Sequence, residues 1–99
     1  MLEFVRDHLS QEELLAQLAE EATELAHAAL KLRRVYDGSN PTPVKRSVAF
    51  DNLREEIADV WLLLDVLDLP FTRDVGKTYN AKLERWVQRL QQAPEKEDK

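Results

Sequence analysis

The 99-residue sequence contains no cysteine, only two glycines and only four prolines. The absence of cysteine excludes disulfides, thiolate nucleophiles and zinc sites built on thiolates. With so few glycines, the chain also lacks the glycine-rich loop that many nucleotide-binding proteins wrap around phosphates. No segment shows the period-two alternation of apolar and polar residues that is typical of strands. We therefore expect an all-α fold.

Basic residues are in the minority, with 14 Lys and Arg against 19 Asp and Glu and a formal charge of −5. A protein that follows the phosphates of DNA or RNA usually presents a basic face, so the charge argues against a nucleic-acid partner. The most apolar run, "VWLLLDVLDL", is interrupted by Asp65 and is too short to cross a membrane. The N-terminal stretch carries Glu3 and Asp7, unlike a signal peptide. We expect a single cytoplasmic domain over residues 1–99, with a flexible tail from about residue 93.

Capping and stop signals divide the chain into helices. Ser10 followed by Glu13 fits a capping box, and "DGSNPTP" supplies stop signals in Gly38, Pro41 and Pro43. Pro70 ends a later periodic segment. The predicted helices are a short one over residues 2–9 and three long ones, from Gln11 to about Tyr36, from Val44 or Ser47 to Leu67, and from Thr72 to about Gln92.

The second long helix is apolar on more than one side. One stripe consists of Leu53, Ile57, Val60, Leu64 and Leu67, whereas Leu62, Val66 and Trp61 lie on other sides. A helix that is apolar most of the way round is normally buried, and three long helices can hardly surround it. We therefore expect a bundle of three long helices plus a short N-terminal helix, completed by oligomerisation into a homodimer or homotetramer.

An acidic residue interrupts the apolar pattern of the first long helix. Leu14, Leu18, Leu25, Ala28 and Leu32 follow alternating steps of four and three, and the missing member of the series is Glu21. Glu24 follows three residues later, so the two carboxylates share one helix surface. The second long helix repeats the step with Glu56 and Asp59 beside its own apolar stripe. If the two stripes face each other, four carboxylates converge.

Converging carboxylates repel one another and lose hydration, so something must offset their charge. Lys or Arg could do so, but oxygen-rich sites suit Mg²⁺ or Mn²⁺. Any single E-x-x-E pair is more often a solvated helix face, and the metal interpretation depends on the two pairs occurring together. Glu24 and His27 also form the E-x-x-H step of di-iron bundles. A di-iron site needs a second such motif, and the pair ending in Asp59 has no histidine near it.

Several polar residues are candidates for binding phosphate or other parts of a substrate. Lys31 is the best-placed cation on the first long helix, and Asn52 lies one turn before Glu56. The other candidates flank the apolar face of the last helix and are Lys77, Asn80, Lys82 and Arg85. For each of these, an ordinary solvated surface residue is at least as good an interpretation.

The acidic residues form the pattern E-E-x-x-E followed by E-x-x-D on the next long helix. In this pattern the sequence resembles the MazG-like family of all-α nucleoside triphosphate pyrophosphohydrolases. The matching residues are Glu20-Glu21-Ala-Thr-Glu24 and Glu56-Ile-Ala-Asp59. The similarity extends through "LAEEATELAHAALKLRR", "NPTPV", "NLREEIADVWLLLDVL" and "KLERWVQRL", which is most of the chain. The separation of Glu24 from Glu56 is long for the family.

The resemblance implies that Glu21, Glu24, Glu56 and Asp59 ligate Mg²⁺ and that Glu20 assists as an outer-shell group or base. It also implies hydrolysis of a nucleoside triphosphate to a monophosphate and pyrophosphate, with a role in nucleotide-pool house-cleaning. The base would lie in an apolar cleft between helices, near Trp61 or at a subunit boundary. Two alternatives stay open, a non-catalytic helical interaction module and a protein that binds nucleotide as a sensor without turnover.

Overall fold

The computed structural model describes residues 1–39, 43–67 and 73–94, and these residues form four helices and no strand. The helices are α1 (Leu2–His8), α2 (Gln11–Asp37), α3 (Arg46–Val66) and α4 (Val75–Gln92). The all-α fold class is therefore confirmed. The bounds of α2 and α3 lie close to the predicted ones. Pro41, Pro70 and the predicted helix start at Thr72 lie outside the described residues, as do residues 95–99 of the tail.

Local signals in the sequence account for both ends of α2. The hydroxyl oxygen of Ser10 accepts a hydrogen bond from the Glu13 N–H at 3.1 Å, and the Glu13 carboxylate accepts from the Ser10 N–H at 3.5 Å. This is the predicted capping box, which satisfies two backbone donors at the helix start. At the other end Gly38 adopts a left-handed conformation with φ 75°, and its N–H donates to the Arg34 carbonyl. Glycine takes this conformation without the steric cost of a Cβ.

Contacts divide the chain into two compact units, Met1–Asp68 and Leu69–Lys99. The expectation of a single domain stays a prediction. In the first unit α2 and α3 pack along each other and α1 packs against α3. Leu14 at the start of α2 meets Leu63, Val66 and Leu67 at the end of α3 in one buried cluster, so the two long helices run antiparallel. The region around α2 and α3 is therefore the part of the chain that positions the acidic residues.

The interface with α2 overlaps the predicted stripe of α3 only in part, since it includes Leu53, Val60 and Leu67 but not Ile57 and Leu64. Ile57 and Leu64 belong to that stripe, yet they are 44% and 45% exposed. Ala49, Leu63 and Val66 are buried instead. A helix with apolar residues on several sides has no single preferred face in its own pattern, and packing against α2 decides which side is covered.

The second unit contains α4. All of its described residues, 73–94, are exposed, including those of its apolar face. That face consists of Val75, Tyr79, Leu83, Trp86, Val87 and Leu90. None of the helices in the described parts of the chain has a stretch that is both long and apolar enough to cross a bilayer.

Candidate metal centre

The contact faces of α2 and α3 have the same residue spacing. Each face steps by four and three residues, and every member is buried or half-buried. The members are Leu14, Leu18, Glu21, Leu25, Ala28 and Leu32 on α2, and Ala49, Leu53, Glu56, Val60, Leu63 and Leu67 at and after α3. The third position of each series is a glutamate. We call the positions of these two series the seam. Glu56 therefore occupies a seam position just as Glu21 does, whereas the sequence predicted only that Glu56 lies beside the apolar stripe.

Three carboxylates from the two helices come together at this point. Glu21, Glu24 and Glu56 each place a carboxylate oxygen so that all three atoms lie within 4.8 Å of one another. Glu21 and Glu56 are half-buried, whereas Glu24 is exposed. We call these three side chains the acidic cluster. The predicted convergence of the two acidic pairs is thus observed for three of the four residues.

Two oxygens of the acidic cluster are buried without a hydrogen-bond partner. They are Oε2 of Glu21 and Oε2 of Glu56, which have none among the described residues. The other oxygen of Glu21 accepts a hydrogen bond from the Gln17 side-chain amide at 2.9 Å. Buried polar atoms are normally paired, since a buried acceptor without a donor costs free energy. Two unpaired carboxylate oxygens within a cluster of three acids are a donor set that fits a hard cation.

The electrostatics of the cluster agree with this geometry. Burial raises the pKa of Glu21 above its usual 4.5, and the charges of Glu24 and Asp59 raise it further, while the bond from Gln17 opposes them. Burial also raises the pKa of Glu56, with added contributions from Glu24, Asp59 and Glu21. Asp59 is exposed and is not one of the three converging residues, but its charge acts on both half-buried carboxylates, Glu21 and Glu56. The surroundings of Glu21 and Glu56 therefore disfavour the ionised form of both carboxyl groups.

An apolar groove of about 220 Å³ adjoins the acidic cluster. Glu21, Asp59 and Gln17 contribute its polar lining. The apolar lining comes from all three helices of the first unit and consists of Val5, Leu9, Leu14, Leu62, Leu63 and Val66. Small-molecule sites typically combine an apolar wall with a few convergent polar groups, and this groove has that composition.

The other predicted site residues are not members of the acidic cluster. Glu20 is exposed on α2 and does not join the three converging carboxylates. Lys31 is half-buried on α2, about two helical turns beyond Glu24. Asn52 is exposed on α3. Lys77, Asn80, Lys82 and Arg85 are exposed on α4.

Histidine takes no part in the acidic cluster. His27 is exposed on α2 and is not one of the converging side chains among the described residues. His8 lies on α1, where its Nδ1 is 2.7 Å from the Phe4 carbonyl oxygen and its ring stacks on Phe4. Among the described residues the converging ligand atoms are all carboxylate oxygens, the donor type that hard divalent cations bind.

Two residues in and directly after α1 line the groove and were not identified from the sequence. Val5 lies on α1 and Leu9 is the residue after its end, in a segment for which the sequence predicted a short helix and no functional role. The available signal was the apolar residues Leu2, Val5 and Leu9 in a segment otherwise rich in charge.

Comparison of the chain with protein-family models, curated proteins and solved structures finds no match. The class that the structure defines is an all-α protein whose two antiparallel long helices carry a half-buried acidic cluster beside an apolar groove. The resemblance to the MazG-like family consequently depends on the acidic pattern and the similar segments in the sequence.

Proposed function

We propose that the chain is a Mg²⁺-dependent hydrolase that converts a nucleoside triphosphate to a nucleoside monophosphate and pyrophosphate. The observation that carries this proposal is the convergence of Glu21, Glu24 and Glu56 within 4.8 Å, with two buried oxygens left unpaired. A purely structural cluster of this kind would raise the free energy of the folded state without any compensating contact. A divalent cation removes that cost and also provides a site for phosphates.

The residues that would hold Mg²⁺ or Mn²⁺ are Glu21, Glu24, Glu56 and Asp59. When bound, the ion supplies positive charge that neutralises a triphosphate and lowers the pKa of a nearby water. Glu21 and Glu56 each have one buried oxygen that makes no hydrogen bond to the described residues and so could bind the ion. Gln17 fixes the orientation of Glu21 through its hydrogen bond to the other oxygen. Asp59 is the fourth ligand that the family resemblance assigns, at the side of the centre that borders the groove.

In the proposed reaction a water attacks the α-phosphorus in line with the leaving pyrophosphate. A bond forms between the water oxygen and the α-phosphorus, and the bond from that phosphorus to the bridging oxygen of the β-phosphate breaks. The electron pair of the broken bond leaves with pyrophosphate, and a proton of the water passes to a carboxylate or to solvent. Glu20 is the candidate base or outer-shell group, in line with the family resemblance.

Cationic and amide side chains would bind the phosphates that extend beyond the acidic cluster. Lys31 is the candidate on the first unit because it is half-buried on α2. Asn52 on α3 is a further candidate. Lys77, Asn80, Lys82 and Arg85 stay candidates from the sequence alone, since they belong to the second unit. Positive charge placed where negative charge develops in the transition state accelerates phosphoryl transfer.

The groove beside the acidic cluster is the proposed binding site for the nucleobase. It borders Glu21 and Asp59, so a nucleotide whose phosphates lie at the cluster can place its base there. Its apolar side chains suit the flat faces of a base, and the site replaces the position near Trp61 that the sequence suggested. Trp61 is 65% exposed and does not line this groove.

The exposed apolar faces of the chain support a homo-oligomer, either a dimer or a tetramer. Trp61, Leu62 and Ile57 on α3 are each more than two-fifths exposed, and so is the apolar face of α4. Apolar area of this extent on helices marks an interaction surface. A second copy of the chain would bury it. We place the protein in the cytoplasm, where a house-cleaning enzyme meets the nucleotide pool.

A non-catalytic interaction module is the second candidate function. The feature that favours it is α4, an amphipathic helix with every described side chain exposed and a basic polar face. A helix of this kind can dock on an acidic partner helix. A nucleotide sensor is a related alternative that uses the same acidic cluster for binding without turnover.

The test is a pyrophosphate-release screen over canonical and modified NTPs and dNTPs with Mg²⁺ or Mn²⁺. Glu56→Gln should lower the release rate by at least about a hundredfold, because it removes one charge and one buried oxygen ligand. Glu21→Gln should do the same. The matched control is Glu55→Gln, the same substitution one residue away on an exposed side chain of α3, which should retain wild-type activity.

Each result of the screen separates the candidate functions. Absence of release from every nucleotide with either metal would contradict the hydrolase proposal. Nucleotide binding without product would favour the sensor. An interaction module predicts no rise in melting temperature on adding Mg²⁺, and full function in Glu21→Leu.

A further inference from the structure

Arg6 of the short helix α1 makes two hydrogen bonds to the end of α3, which we call the Arg6 clamp. Nε of Arg6 donates a hydrogen bond to the Val66 carbonyl at 2.7 Å, and Nη2 donates to the Asp65 carbonyl at 2.7 Å. These carbonyls belong to the last turn of α3, where carbonyl groups lack a partner within the helix. The negative end of the helix dipole lies there too, so a guanidinium is well suited to the position.

Little else holds α1 in place. It has seven residues and none of them is buried, although Val5 packs against the cluster of Leu14, Leu63, Val66 and Leu67. A helix of this length is not stable on its own in water. Its position therefore depends on the Arg6 clamp, on Val5, and on the capping box that begins α2 directly after it.

The position of α1 determines one wall of the groove. Val5 and Leu9 line the groove opposite residues of α2 and α3. Arg6 itself does not line it, and its guanidinium is turned to the α3 carbonyls. Removing the clamp would therefore alter the apolar wall while leaving the side chains of the acidic cluster unchanged.

We propose that Arg6 is a positioning residue for the nucleobase, because its paired hydrogen bonds to the last turn of α3 hold Val5 and Leu9 as the wall of the base-binding groove. This inference rests on the proposed function. It adds that affinity for the base and turnover at the phosphates are controlled by different parts of the first unit. Arg6 and α1 act on base binding, and the acidic cluster acts on the reaction.

The test compares Arg6→Ala, Arg6→Lys and Leu9→Ala with the wild type under saturating Mg²⁺. Arg6→Ala should raise KM for the best substrate by about tenfold or more, the usual effect of losing an apolar contact surface. The kcat should stay within about twofold, because binding is lost equally in the ground state and the transition state. Arg6→Lys keeps the charge and one donor group, so its KM should lie between that of the wild type and that of Arg6→Ala. Leu9→Ala trims the wall without touching the clamp and should also raise KM alone.

Two further measurements separate positioning from a general loss of structure. Hydrogen exchange should accelerate at the amides of α1 in Arg6→Ala and stay as in the wild type at those of α2 and α3. The rise in melting temperature on adding Mg²⁺ should be unchanged. The control is Arg54→Ala, which removes an exposed arginine that pairs with Asp51 at 3.5 Å on the surface of α3. Arg54→Ala should change none of these quantities.

The outcomes distinguish this inference from the proposed function. If the wild type hydrolyses a nucleotide but Arg6→Ala and Leu9→Ala leave KM unchanged, the inference about Arg6 is overturned and the proposed function is not. A fall in kcat at constant KM, or loss of the Mg²⁺ response in Arg6→Ala, also overturns it, because the clamp would then act on the acidic cluster. A wild type that neither hydrolyses nor binds any nucleotide, tested with non-hydrolysable α,β-methylene analogues, overturns both.

Discussion

Two neighbouring parts of the α2–α3 interface have the same geometry and opposite chemistry. Where α1 joins the long helices, the seam positions are filled by Leu14, Leu63 and Leu67, which are buried in an apolar cluster. About two turns along α2 the same spacing brings in Glu21 opposite Glu56. The residue spacing sets where side chains meet, and the side-chain type then decides whether the meeting stabilises the fold or creates a site.

Apolar packing on both sides of the acidic cluster explains how it can exist. Leu32 and Ala49 are buried at the far end of the interface, and Leu14 and Leu63 at the end near α1. These layers hold the two helices together against the repulsion of the carboxylates between them. The acids are thus fixed in place before any ligand arrives, which is what a binding centre requires.

The largest stability effect is expected in the apolar part of the interface. Leu14→Ala should lower the free energy of unfolding by about 2–5 kcal/mol, because it removes transfer free energy and leaves a cavity in the buried cluster. Urea denaturation without divalent cations measures this loss. Leu15→Ala is the control, since Leu15 is the next residue on α2 and is 41% exposed. Its expected loss is about 1 kcal/mol or less. Equal losses for both variants would mean that the interface near α1 is not formed in solution.

Replacing an acidic residue of the interface should stabilise the metal-free protein, in contrast to the loss expected for Leu14→Ala. Glu21→Leu should raise the melting temperature of the metal-free protein, because it replaces a half-buried, repelled carboxylate by the apolar residue that the spacing favours. The same variant should lose the stabilisation that Mg²⁺ gives the wild type. Glu20→Leu, an exposed neighbour on α2, serves as the control for added hydrophobicity and should leave the melting temperature nearly unchanged. A drop in melting temperature for Glu21→Leu would show that the carboxylate stabilises the metal-free fold.

The helices could be predicted from the sequence because their signals are local. The Ser10 capping box and Gly38 determine the ends of α2, and both act over a few residues. The side of α3 that contacts α2 was predicted only in part, because Leu53, Val60 and Leu67 lie on it whereas Ile57 and Leu64 are exposed. The correct series runs from Ala49 in steps of four and three, but it passes through Glu56. It is recognisable only if a carboxylate is accepted as a member of the seam.

The acidic pairs of the site could also be predicted, whereas the groove and the clamp could not. The three-residue steps of Glu21–Glu24 and Glu56–Asp59 each place two carboxylates on one helix surface, and antiparallel packing brings the helices face to face. The hydrogen bonds of Arg6 join residues about sixty positions apart in the chain and leave no local pattern. The apolar face of α4 was predicted, but what covers it depends on contacts that helix periodicity does not encode.

The smallest expected effect is a pH dependence that comes from the acidic cluster alone. The pKa values of Glu21 and Glu56 are raised above 4.5 in the folded protein, so in the pH range just above 4.5 the folded state binds more protons than the unfolded state. Stability then falls as pH rises through this range. The Asp37 carboxyl has the opposite sign, because the hydrogen bonds from Ser39 lower its pKa below 3.8. The stability that Asp37 contributes is lost only as pH falls below about 3.8, so the effects of Asp37 and of the acidic cluster occupy separate pH ranges.

A comparison of the wild type with Glu21→Gln/Glu56→Gln in the presence of a chelator isolates this effect, since all other titrating groups are common to both. The melting temperature of the wild type should fall relative to the variant as pH rises from about 4.5 to about 8. Saturating Mg²⁺ should abolish this relative fall, because a bound cation offsets the charge that the folded state otherwise resists. If the melting-temperature difference between the wild type and the variant does not change with pH, the two carboxylates are fully hydrated in solution. Their Oε2 atoms would then not be buried there.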